Sequence, residues 1–346
     1  MEKLVIDGSM GEGGGQVLRT ALAMSAVTGK AVEVRNIRAN RPKPGLMPQH
    51  LLVARAFHDI CGGKMEGAKA SSSRLLFSPG DPIPGSYSFD VGTAGSTTLV
   101  VQGLLPMMMH TGGRWSLNIE GGTDVLWSPS WDYFSYIYKE HLGNMGADLS
   151  VRLKKRGFYP SGGGAIFVSL RPSKFRGLVL EDRGDLMGVA GRGILSKLPL
   201  EVWERMRAAI LHRLIDFGSV TEEMLSVDHV LGSPDKAAGV TLWAEFQHTR
   251  LGSTCLGEKG LRAEMVGECA VDPLLKDIVA GATLDPWAAD QLLPVMALAG
   301  EESVFLLRET TEHFLTVAEL VQKFLGVDVK LSKENGTTRV EVGGVT

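Results

Sequence analysis

The chain matches itself when slid by 83 positions, and this internal repeat constrains its fold more than any other feature. At that offset Asp7 falls on Asp90, Val17 on Val100, Thr28-Gly29 on Thr111-Gly112 and Gly63 on Gly146, with no gap needed. Each copy reads as a short strand, a turn of small residues, an apolar helix, a Thr-Gly stop and a second strand. The first copy runs "LVIDG", the glycine turn, "QVLRTALAMSAV", "AVEVRNI"; the second runs "YSFDV", "GTAGS", "TTLVVQGLLPMMM", "RWSLNIEG". A second helix comes next in each, "QHLLVARAFHDIC" and "WDYFSYIYKEHLGNM", with apolar residues at the three- and four-residue spacing of a helix lying on a sheet. A third copy is expected to begin with hairpin strands around "GFYPSGGGAIFVSL" and to resume over 288–343, ending in the "ENGT" hairpin. Between its parts lie residues of different texture, with a long amphipathic helix near 200–216, strands near 239–257 and a helix after Leu261.

The expectation is an α/β (α+β) protein of three repeated βαβαββ-type units, with a smaller inserted α/β domain. The boundaries are residues 1–182 plus 278–346 for the body and 183–277 for the insert.

The stretch "GSMGEGGGQVLR" at 8–19 sets glycines against a helix start, where bare N–H groups can meet an anion. It is neither familiar phosphate loop. Gly14 stands where a Walker loop needs lysine, and Gln16 where a dinucleotide fingerprint needs its third glycine. Glu12 is an odd carboxylate in an anion loop, and a divalent cation, Mg²⁺ or Mn²⁺, bridging to phosphates resolves the conflict. Arg19 lies on the same helix face as Gln16 and away from the apolar stripe. With Arg38, Arg41 and Lys43 it can neutralise phosphates, since guanidinium forks suit phosphate oxygens. Gln49 and His50 close that stretch, either touching a bound phosphate or capping the helix they open. Gln102 interrupts an apolar helix at Arg19's repeat position and needs a partner if buried.

The net charge of −3 hides a pattern. No acidic residue occurs between Glu33 and Asp59, or between Asp148 and Glu181, while both windows are rich in Arg and Lys, which suggests a local polyanion surface. Three cysteines, Cys61, Cys255 and Cys269, have wide spacing and no metal-type pairing, which points to reduced thiols. The N-terminus lacks a signal-peptide pattern, and "LVVQGLLPMMM" is too short to span a bilayer, so a soluble, cytoplasmic protein is expected.

Together "DGSMGEGGGQVLR", "IRANRPKPGLMPQH", "GTAGSTTLVVQ", "GGTD", "GFYPSGGG" and "ADQLLPVMALAG" resemble the RNA 3′-terminal phosphate cyclases. The resemblance covers most of the chain and is weakest in the insert. It implies three units of the kind seen in the C-terminal domain of translation initiation factor three, plus an inserted domain. It also implies ATP as co-substrate and an RNA bearing a 3′-phosphate as partner. By this resemblance a histidine is adenylylated, AMP passes to the RNA 3′-phosphate, and the vicinal 2′-OH closes a 2′,3′-cyclic phosphate. His313, in "RETTEHFLTV", stands where the family places its nucleophile, although Thr311-Glu312 replace the small residue and Cys that precede it elsewhere. A histidine suits the task because its ordinary pKa is near neutrality. The family's nucleoside pocket maps onto Gln102, Pro129, Tyr133 and the run Trp287, Ala288, Ala289, Asp290 and Gln291, with Tyr133 or Trp287 able to stack on a purine. The alternative is a non-catalytic, cyclase-like ribosome-assembly scaffold, whose kind lacks the nucleophilic histidine. An enolpyruvyl transferase of related repeated fold ranks below both.

Overall fold

The computed structural model describes residues 3–215 and 221–344. Strand β1 (Lys3–Asp7) leads through the glycine loop into α1 (Gly15–Thr28), which stops at Gly29 in the left-handed conformation. Strand β2 (Ala31–Arg35), α2 (Pro48–Cys61), β3 (Lys64–Glu66) and β4 (Leu75–Ser78) come after it. They form a sheet in the order β1-β2-β4-β3, parallel between β1 and β2 and antiparallel elsewhere. Alternation along the strands sends Ile6, Val32, Val34, Leu75 and Phe77 under the helices.

The next segment repeats this pattern of pairing. Strands β5 (Ser86–Asp90), β6 (Trp115–Gly121), β7 (Asp148–Lys155) and β8 (Gly164–Arg171) lie in the order β5-β6-β8-β7, again with the first pair parallel. Helix α3 (Thr97–Thr111) joins β5 to β6. After β6 come α4 (Trp131–Tyr133), a π-turn at Phe134–Tyr138 and α5 (Lys139–Asn144). The hairpin strand at 164–171 therefore does not open a third unit, as its sequence position suggested. It pairs with β6 from Trp115↔Leu170 to Gly121↔Gly164 and buries Ile166, Val168 and Leu170 in the second sheet's core. Burying that apolar face outweighs adjacency to the next stretch of chain.

A two-residue strand, β9 (Val179–Leu180), comes next. Then β10 (Leu186–Ser196), α6 (Glu201–Leu214), β11 (Leu225–Val230), β12 (Ala237–Phe246), β13 (Arg250–Leu256) and α7 (Ala263–Ala280) build a sheet of order β11-β10-β12-β13. The end of the expected helix, residue 216, lies outside the described residues. Finally α8 (Pro286–Met296), β14 (Ser303–Leu307), α9 (Glu312–Leu325), β15 (Val329–Glu334) and β16 (Thr337–Val342) complete a sheet of order β15-β16-β14-β9, parallel between β9 and β14. Asn335-Gly336 make the turn between β15 and β16.

Two hydrophobic clusters result. One draws on residues from Ile6 to Leu180 and from Leu284 to Val342; the other lies wholly within Val189 to Ile278. Polar contacts join the two regions. Arg156 donates to Asp124 at 2.9 Å and Asp132 at 2.8 Å, and to Asp228 of β11 at 2.7 Å. The rings of Tyr136 and Trp243 stack at 4.7 Å. The expectation of three reduced thiols is corrected: Cys255 of β13 and Cys269 of α7 form a disulfide with Cα atoms 5.8 Å apart, and Cys61 is free and buried. Packing α7 against β13 brings together two thiols whose spacing in sequence carried no signal. Among the described residues no helix is long and apolar enough to cross a membrane.

Candidate active site

Four helices meet here: α1 packs on α3 and α9, and α8 on α3 and α9. The loop from Gly8 to Gly14 lies across this junction. Gly11 adopts φ +52°, and a Cβ there would stand 2.2 Å from Thr316 Oγ1 of α9, so the loop can seat against α9 only with glycine. Gly14 caps α1 with no side chain, leaving the first-turn N–H groups of α1 free for an acceptor. The space over that end is walled by charged and titratable groups. A Cβ at Gly15 would come within 2.1 Å of His50 Nε2 and 3.2 Å of Arg19 Nη1. A Cβ at Gly14 would come within 3.2 Å of Arg41 Nη2 and 3.8 Å of His313 Cε1.

His313 stands in the first turn of α9, where Thr311 is the cap and its hydroxyl accepts from the Phe314 N–H at 2.9 Å. Its Nε2 lies 3.4 Å from Glu12 Oε2, an atom that also accepts from Arg41 at 2.8 Å. Burial holds the His313 pKa below the ordinary value; Glu12 opposes this, while Arg19 and Arg41 reinforce it. The ring is therefore neutral near neutral pH, with a lone pair to offer. His50 is driven down to about 3 by burial, with Arg19 and Arg38 adding to the effect, and its Nδ1 accepts from the Met47 N–H at 3.3 Å.

Arg19 is the unspent charge of the site. It has no ion-pair or hydrogen-bond partner among the described residues, and burial draws its pKa down to about 10. Arg38, by contrast, is tied to its own loop, donating to the carbonyls of Lys43 at 2.5 Å and Gly45 at 3.2 Å. Lys43 is exposed beside it. Gln49 accepts from the Ser96 N–H at 3.2 Å and keeps a buried amide nitrogen without a partner.

Behind Arg19 a pocket opens between α1, α3 and α8, lined by Gln16, Arg19, Gln102, Gly103, Asp290 and Gln291 among others. Gln102 finds the partner it needs: its amide donates to Gln291 Oε1, while its own carbonyl oxygen is buried and unpartnered. Asp290 accepts from the Thr311 hydroxyl at 2.6 Å, and burial raises its pKa to about 7 despite that bond, with Asp285 and Glu12 adding to the rise.

The remaining nucleoside-pocket candidates lie elsewhere around α8. Ala288 and Ala289 are fully buried beneath its first turn, and Trp287 is 39% exposed. The Pro129 carbonyl accepts from Thr98 at 2.8 Å. Tyr133 is 2% exposed and donates its hydroxyl to Asp285 at 2.5 Å, so in this structure it is a core aromatic with no open face. Asp285 also caps α8 by accepting from the Ala288 N–H at 3.0 Å. Three residues of this network were not among the site candidates read from the sequence: Gln16, Thr311 and Asp285. The signals for two of them were there. Thr311 immediately precedes an amphipathic helix, and Asp285 precedes a proline at the first helical position.

Glu12 offers a cation one carboxylate, partly engaged by Arg41, and among the described residues no cluster of three His, Cys, Asp or Glu could hold a metal. That donor set fits a magnesium ion whose other ligands come from nucleotide phosphates and water, and does not fit an all-protein cage.

Fold and site together define a mixed α/β protein that presents an anion with a helix N-terminus, a half-buried guanidinium and a histidine. A family model described as RNA 3′-terminal phosphate cyclase matches residues 10–331. Similar curated proteins of that same name include those of Thermococcus onnurineus, 41% identical over 99% of this chain and all of its own length, and Nitrosospira multiformis, 40% identical over 97% and 95%. That of Archaeoglobus fulgidus is 39% identical over 94% of this chain and 96% of its own. The chain belongs to the RNA 3′-terminal phosphate cyclase family. Among solved structures, the enolpyruvyl transferase NikO from Streptomyces tendae aligns with 99% of this chain and 48% of its own, at a TM-score of 0.41 and 11% identity, a likeness too slight to carry an argument.

Proposed function

We propose that this chain uses ATP to convert an RNA 3′-phosphate into a 2′,3′-cyclic phosphate through a histidine–AMP intermediate. The observation that carries the reading is the half-buried Arg19, with no carboxylate partner among the described residues, close to His313 at a helix N-terminus that no side chain caps. Those groups suit a nucleophile meeting a polyphosphate, and family membership supplies the reaction class. In this account His313 Nε2 attacks the α-phosphorus, a P–N bond forms, and the P–O bond to the β-phosphate breaks, releasing pyrophosphate. An oxygen of the RNA 3′-phosphate then attacks the same phosphorus and frees the histidine, giving RNA(3′)pp(5′)A. The vicinal 2′-OH attacks the 3′-phosphorus, loses its proton to solvent and expels AMP.

Arg19, Arg38, Arg41, Lys43 and the α1 N–H groups hold phosphate oxygens, with Gln49 and His50 at the RNA end. Gln102, Asp290 and Gln291 hold the nucleoside, with Pro129, Tyr133, Trp287, Ala288 and Ala289 shaping its surroundings. Glu12 would hold Mg²⁺ or Mn²⁺, which supplies charge neutralisation at the phosphates.

The same reading divides the chain into a three-unit body, 1–182 plus 278–346, and an insert, 183–277, with two separate hydrophobic clusters as support. The need for ATP and RNA favours the cytoplasm. The non-catalytic scaffold reading expects no nucleophilic histidine, and His313 beside Glu12 speaks against it.

A 3′-phosphorylated RNA incubated with ATP and Mg²⁺ is expected to acquire a phosphatase-resistant cyclic end. The same RNA ending in a 2′-deoxynucleotide is expected to stop at the AMP-capped stage, because it lacks the attacking hydroxyl. A 3′-phosphate that stays phosphatase-sensitive in both would refute the reading.

A further inference from the structure

The second sheet has a face that the site does not use. Its helices lie against Trp115, Leu117, Ile166, Val168 and Leu170; the alternate residues point the other way. One cross-strand row on that side runs Ser88, Asn118, Phe167, Arg152. Phe167 is half-buried and belongs to neither hydrophobic cluster, and Lys154 Nζ sits 5.5 Å from its ring centre while donating to Asn118 at 2.5 Å. Arg152, Lys154 and Lys155 are exposed. Among the described residues Arg152 and Lys155 have no carboxylate partner, whereas exposed Arg205 and Arg213 do.

Because β7 runs parallel to β6, these cations lie toward the strand ends that lead into the active-site loops. Those loops carry two more uncovered aromatics. Trp127 is 78% exposed and held at φ +63°, a backbone conformation costly for a bulky residue; Tyr159 is 74% exposed. Their loops are joined where the Thr123 N–H donates to the Gly157 carbonyl at 2.8 Å. The Tyr159 loop in turn abuts the Thr93 carbonyl at Gly162, two residues from the Gly95 that rests on Gln49. The surface thus reaches the site by contacts of neighbouring loops.

We propose that Trp127, Tyr159 and Phe167, with Arg152, Lys154 and Lys155, bind the single-stranded RNA leading up to the reacting 3′ end, the rings stacking on bases and the cations meeting phosphates. This rests on the reading that the chain's substrate is RNA. Spaced rings among cations are what a sequence-tolerant single-strand site needs, since every base has a π-face and every linkage a charge. The absence of any acidic residue between Asp148 and Glu181 gives the charge complementarity. Asp90 and Glu120, exposed on the β5–β6 side of the same face, repel phosphates and confine the strand to β7 and β8.

The test compares two double variants, Arg152→Glu/Phe167→Ala and Trp127→Ala/Tyr159→Ala, with wild type. The probes are a fluorescent 3′-phosphorylated RNA of about twelve nucleotides, within the usual reach of such surfaces, and a 3′-phosphorylated dinucleotide. The proposal expects each double variant to raise Kd, and KM in cyclisation, for the longer RNA about tenfold, with kcat, dinucleotide KM and melting temperature unchanged. Equal affinity of variants and wild type for the longer RNA would overturn it, as would equal losses on both substrates. Wild-type binding that the variants lose, without cyclisation by either, would keep this surface and reject the cyclase reading.

Discussion

A half-buried guanidinium with no carboxylate partner among the described residues, as Arg19 is, gives up part of its hydration and receives no ion pair in return. Such a residue costs stability, so its presence beside His313 and His50 is best explained by a ligand that completes it. Arg19→Met is therefore expected to leave the melting temperature unchanged or higher while lowering AMP transfer from ATP about a hundredfold. A fall in stability with activity intact would make Arg19 a structural residue. Arg19 was legible as a candidate in sequence because it shares Gln16's helix face behind the glycine loop, away from the apolar stripe of α1, and Gln102 because it interrupts α3 at the repeat-related position. Tyr133 was not legible in the same way. An aromatic reads alike whether it stacks on a purine or fills a core, and only the buried hydroxyl bond to Asp285 separates the two.

At the scale of elements, the site is a meeting of helix starts, and each start is capped differently. Gly14 leaves α1 open to an anion, Asp285 closes α8, and Thr311 closes α9 while its hydroxyl donates to Asp290. That last bond ties the turn carrying His313 to the helix carrying Asp290 and Gln291. Thr311→Ala is expected to cost about 1 kcal/mol of stability through the lost cap. It should also lower the rate of AMP transfer about tenfold or more by loosening the nucleophile, with ATP affinity kept. Thr311→Ser, which keeps the hydroxyl, is expected to restore the rate; a serine variant as slow as the alanine one would contradict the positioning role. Helices and glycine turns were readable from period and punctuation. The assignment of β8 was not, because a hairpin's sequence does not state which of two neighbouring sheets its apolar face will cover.

Across the whole molecule, the two hydrophobic clusters are linked by one buried charge network. Arg156 is held between Asp124 and Asp132, both nearly inaccessible, and Asp228 of β11. Burial lifts the Asp132 pKa to about 6 even with Arg156 beside it. Arg156→Met would strand two buried carboxylates and is expected to lower unfolding stability by about 3–5 kcal/mol in urea denaturation; a change within about 0.5 kcal/mol would mean the network is open to water. No sequence pattern announced this network, since its members come from three separate stretches, 124–132, 156 and 228, and meet only after the sheets have packed. The Cys255–Cys269 pairing was hidden for the same reason. What the chain as a whole is for turns on one bond. With α-labelled ATP and Mg²⁺, then proteolysis and mass analysis, AMP is expected on His313 through an acid-labile, base-stable P–N linkage, with no labelled protein from a folded His313→Ala variant. AMP on any other residue, or undiminished labelling of that variant, would contradict the histidine–AMP intermediate.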